Sequence, residues 1–140
     1  MVVDVPMVCS SLLFLVPSYV HFKHREYFEA AMYAAVTLSS SLSDGIYDTG
    51  KYTQSFTILD RIVATSALLA ATRRGWLLRP QLRYKLYMLT GISLAGGFLI
   101  RGQNERRRGC QDAYRCNHML WHCMLTFTGL ASSLFRPRLK

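Results

Sequence analysis

The sequence predicts an all-α integral membrane protein, a bundle of about five transmembrane helices. Two observations predict it. Hydrophobic residues make up 51% of the 140 positions, whereas charged residues make up 18% and gather into clusters between long apolar blocks. The blocks themselves are nearly free of charge, which a bilayer-spanning helix requires and a soluble amphipathic helix does not show. Period-2 alternation is absent and the blocks are too long for strands, so an all-β chain is excluded. At 140 residues the chain makes a single membrane domain, 1–140.

The first span covers residues 5–22, with Pro17 as an internal kink. A signal peptide would carry basic residues ahead of its apolar core; here Asp4 stands there instead, which favours a retained helix. The second span covers 27–42 and stops at Ser43-Asp44-Gly45, followed by a second turn signal at Asp48-Thr49-Gly50. The third covers 55–72, with Gly75 and Pro80 interrupting the connection to the fourth, 84–100. Gly102 and Gly109 flank the connection to the fifth, 117–135, and Arg106-Arg107-Arg108 reads as a solvated loop. Gly91, Gly96 and Gly97 are placed to let helices approach closely.

The net charge of +9 does not indicate nucleic acid, because no zinc-finger spacing or aromatic-basic motif accompanies it. Basic loops beside apolar spans are the positive-inside pattern and meet anionic headgroups. With five spans, ten Lys and Arg residues fall on one face: Lys23, Arg25, Arg73, Arg74, Arg79, Arg83, Lys85, Arg136, Arg138 and Lys140. Six fall on the other: Lys51, Arg101, Arg106, Arg107, Arg108 and Arg115. The bias puts the C-terminus in the cytosol, in a plasma membrane or endomembrane protein. Cys9, Cys110, Cys116 and Cys123 form no Cys-x-x-Cys pair and read as reduced thiols; a Cys110–Cys116 loop disulfide is the alternative in an oxidising compartment.

The candidate chemistry lies in His118-Met119-Leu120-Trp121-His122. A spacing of four puts both imidazoles on one helix face. Span parity brings Ser40, Asp44, Asp60 and this pair to the same membrane face, whichever way the protein is oriented. Ionisable residues within spans are costly and face a cavity, a partner or a metal, so a metal site is one reading. An interfacial histidine anchor beside Trp121 is the other. Two histidines on one face cannot supply opposite axial ligands to a haem. His21 and His24 fall on the opposite face, where solvent or headgroups meet them.

These residues resemble a superfamily of seven-helix membrane hydrolases that includes alkaline ceramidases and adiponectin receptors. Its pattern is a serine and then a histidine four residues later on helix two, an aspartate on helix three, and His-x-x-x-His on the last helix. The segment Glu29-Ala30-Ala31-Met32-Tyr33, with Ser40, Ile58-Leu59-Asp60 and the final histidine motif, most resembles its myomaker and post-GPI-attachment phospholipase group. The resemblance covers about residues 7–135. It implies a Zn²⁺ ion held by Asp44, His118 and His122 with water in the fourth position. It also implies Asp60 as the group that orients or deprotonates that water, and Ser40 as a donor to the developing oxyanion. The substrate class is a lipid amide or ester.

Two departures bear on this. Asp44 stands where the family has histidine, adding negative charge to the site and making bound water less acidic. Five spans stand where the family has seven, so the substrate cavity lacks a wall that partner subunits or a second copy could fill; membrane lipids are the other expected partners. A non-catalytic scaffold or fusion-type protein, or a small accessory subunit of a membrane complex, are the competing readings.

Overall fold

The computed structural model describes residues 4–45, 53–78 and 81–134. Six helices account for its regular structure: α1 (Val5–Leu12), α2 (Leu15–Lys23), α3 (Tyr27–Gly45), α4 (Thr53–Leu78), α5 (Leu82–Arg107) and α6 (Gln111–Leu134). No strand occurs among the described residues, as the apolar block lengths predict. Two compact units divide the chain, 1–74 and 75–140.

In the first unit, Asp4 opens α1 by accepting a hydrogen bond from the Met7 amide, the usual N-cap arrangement. The predicted kink is a full interruption. Pro17 has no N–H to donate to the Leu13 carbonyl, so the chain passes through a turn at Leu13 and Phe14 held by bonds of the three-residue type. Regular pairing resumes when the Ser18 amide reaches the Phe14 carbonyl. α2 then ends in a Schellman motif. The Glu26 amide bonds the His21 carbonyl, the Arg25 amide bonds that of Phe22, and Arg25 takes a left-handed φ of 61°.

α3 packs on both α1 and α2. His21, expected among headgroups or solvent, is instead buried; its Nδ1 pairs with Glu26 at 2.5 Å and its ring stacks on Tyr33. His24 is exposed as expected.

In the second unit, α5 and α6 pair through a short connection, again a Schellman motif, with Gly109 at φ 79°. Gly91 faces Thr128 and Gly102 faces Asn117, a register that runs antiparallel. Gly91, Ala95 and Gly102 lie buried along one line of α5, so small residues permit the close approach. Gly96 and Gly97, expected in this role, face open space.

Helices run beyond their predicted ends because an apolar block marks what suits a bilayer, not where backbone pairing stops. α4 passes through Gly75 to Leu78, and α5 passes through Gly102 to Arg107, so Arg106 and Arg107 close a helix instead of forming a loop. Cys110 and Cys116 are free, and no loop disulfide joins them. Asp48-Thr49-Gly50, Lys51, Pro80 and the C-terminal Arg136, Arg138 and Lys140 lie outside the described residues.

Among the described residues, one helical stretch, Val5–Lys23, is long and apolar enough to cross a membrane by length and composition. A signal sequence or the core helix of a soluble protein passes the same test.

Candidate metal centre

In the first unit two buried carboxylates, Asp44 and Asp60, are each gripped by serine. On α3, Thr37, Ser40 and Asp44 recur at helical spacing and are all buried, so this face is polar where a soluble helix would be apolar. Asp44 lies in the last turn of α3. Its Oδ2 accepts a hydrogen bond from Ser11 Oγ of α1 at 2.7 Å. Asp60 lies two turns into α4. Its Oδ1 accepts from Ser40 Oγ at 2.6 Å and from Ser39 Oγ at 2.9 Å. Two neighbouring hydroxyls of α3 thus donate to one carboxylate oxygen of α4.

The second unit holds the imidazoles. α6 buries Tyr114, Asn117, His118, Trp121, His122 and Thr128 along one stripe. His118 and His122 meet edge to face, 4.5 Å between ring centroids. Trp121 lies against both, 5.2 Å from His118 and 4.8 Å from His122, and Tyr114 adds a contact to His118 at 5.5 Å. These aromatic neighbours fix the rings in place. His122 is fully buried, at 0% exposure.

The sequence-predicted residues thus divide between the two units. Ser40 and Asp60 come into direct contact in one, and His118 and His122 in the other. His118 and His122 are buried beside Trp121, not exposed as an interfacial histidine anchor would be. Ser11 and Ser39 escaped the sequence reading. A serine in an apolar block has no distinguishing spacing of its own, although Ser39 beside Ser40 was a visible pair.

The donor chemistry suits a metal. Asp44 in the first unit and His118 and His122 in the second are all buried, and each is of a kind that could hold a metal ion. Nitrogen and carboxylate oxygen both bind zinc at about 2.0–2.2 Å, and two histidines one helical turn apart can meet one ion. No known protein family, curated protein or solved structure matches the chain.

Proposed function

We propose that this chain is a multi-pass membrane protein that binds one zinc ion through Asp44, His118 and His122 and hydrolyses a lipid amide or ester. The observation that carries the reading is the set of buried donors: two imidazoles packed on one stripe of α6 and a carboxylate buried in the last turn of α3. Burial of ionisable groups without function is costly, and metal coordination offsets that cost.

Support for the membrane comes from an inverted pattern of exposure. Among the described residues, buried polar or charged side chains outnumber buried apolar ones. Meanwhile Leu12, Leu15, Tyr19, Leu38, Ile62, Leu69, Leu89, Ile100 and Phe127 are exposed, with others like them on every helix. Water would penalise such a surface and lipid would not. Several spans are then short or tilted, with basic residues at their ends.

A bound zinc would supply Lewis acidity and bring the pKa of a coordinated water toward about 7. Asp60 accepts a proton from the attacking water and returns it to the leaving nitrogen or oxygen as the acyl bond breaks. The products are a fatty acid and an amine or alcohol. Ser40 turns from Asp60 to the oxyanion, and Ser39 retains its hold on the carboxylate. These roles follow the resemblance to the myomaker and post-GPI-attachment group.

A second reading, zinc as a structural clamp without turnover, is favoured by Asp44 itself, whose negative charge makes a coordinated water less acidic than a neutral ligand would. Elemental analysis of detergent-purified protein tests both. We expect about one zinc per chain, lost in H118A and H122A. Release of fatty acid from ceramide or phospholipid by the loaded protein then separates enzyme from clamp. Protein without zinc would refute both.

A further inference from the structure

We infer that Ser11 is a positioning residue for the metal, fixing the Asp44 carboxylate in the orientation that binds it; this rests on the proposed zinc site. Asp44 is a carboxylate where the resembling family has an imidazole. A carboxylate has two equivalent oxygens and rotates about its last side-chain bond, so its direction needs an outside constraint.

Ser11 supplies that constraint. It is fully buried in the last turn of α1, at 0% exposure, and its Oγ lies 2.7 Å from Asp44 Oδ2. A hydroxyl carries one proton, and Ser11 Oγ has two acceptors in reach, Asp44 Oδ2 and the Met7 carbonyl at 3.2 Å. Two facts assign the proton to Asp44. The carboxylate contact is the shorter of the two. The Met7 carbonyl already accepts from Ser10 Oγ at 2.7 Å. Neighbouring serines therefore divide the work: Ser10 satisfies the helix backbone, and Ser11 holds the side chain of a residue 33 positions away. Oδ2 pinned in this way holds the other oxygen to one direction, as second-shell partners do for metal-ligating carboxylates.

The test is zinc affinity of the full chain in detergent, read by competition with a chromophoric chelator. Ser11→Thr keeps the hydroxyl and Ser11→Val replaces it with a methyl at equal volume, so the pair isolates the hydrogen bond from packing. We expect S11V to bind zinc about 10–100-fold more weakly than wild type, the range for loss of a second-shell partner, and S11T to stay within about threefold. In a D44A background, S11V should change the residual affinity no further. Equal affinity in S11V and S11T overturns the inference while leaving the zinc site standing. So does an S11V loss that persists undiminished in D44A. Failure of the wild-type chain to take up zinc, or wild-type affinity in D44A, overturns the site itself.

Discussion

Arg25 occupies a backbone conformation that most residues avoid, at φ 61°, while the equivalent position of the α5–α6 turn is Gly109. A side chain in that region costs about 1 kcal/mol relative to glycine. Arg25→Gly is therefore expected to stabilise the protein by about 0.5–1 kcal/mol, measured by the denaturation midpoint in detergent. Around Asp60 the expected effects have the opposite sign. Removing one of its two serine donors, in S39A or S40A, takes a hydrogen bond from a buried carboxylate and should cost about 1.5–3 kcal/mol. If the roles above hold, S39A retains more lipid hydrolysis than S40A. Equal loss in both would reduce Ser40 to a structural donor. At this scale the sequence was legible where chemistry announces itself by spacing. His118, His122 and Asp60 stood out, and Ser40 with Asp44 followed from helical periodicity. Ser11 did not, because its significance lies wholly in a contact with a residue far along the chain.

The helices were legible as apolar blocks, and the described part of every block is helical apart from the turn at Leu13 and Phe14; the charged ends did not read as helix because charge marks where a bilayer would end, not where backbone pairing stops. The arginine-rich end of α5 shows the difference. It continues helical to Arg107, with Glu105 paired to Arg108 across the cap. The seam between α5 and α6 shows a second limit. Glycine spacing alone suggested Gly96 and Gly97 beside Gly91, yet only a facing helix decides which glycines matter. A Cβ at Gly91 would collide with Thr128, and one at Gly102 would press on Asn117 at 3.3 Å, whereas Gly96 and Gly97 have room. Gly91→Ala should destabilise by about 1–3 kcal/mol through overpacking. Gly96→Ala should be neutral or stabilise by up to about 1 kcal/mol, through the better helix propensity of alanine. Thermal unfolding in detergent distinguishes the two, and a Gly96→Ala cost equal to that of Gly91→Ala would argue against this seam.

For the whole molecule, the exposure pattern predicts that the chain resists extraction from membranes by alkaline carbonate and requires detergent, which fractionation of expressing cells would check. Release into the soluble fraction would remove the membrane proposal. The sequence made the apolar exterior legible, since long uncharged blocks leave too few polar positions to clothe six helices. It left the polar interior less so, because buried hydroxyls such as those of Ser39 and Thr37 look the same in a sequence as exposed ones. That inverted interior has a thermodynamic consequence. A soluble chain of this length would show an unfolding heat-capacity change of about 2 kcal/mol/K, chiefly from apolar groups newly meeting water. If the chain lies in a membrane as proposed, its apolar surface is turned outward to lipid, and unfolding inside a lipid or micellar phase uncovers polar groups instead. Calorimetry should therefore find a far smaller increment, a nearly flat dependence of stability on temperature, and no tendency toward cold denaturation.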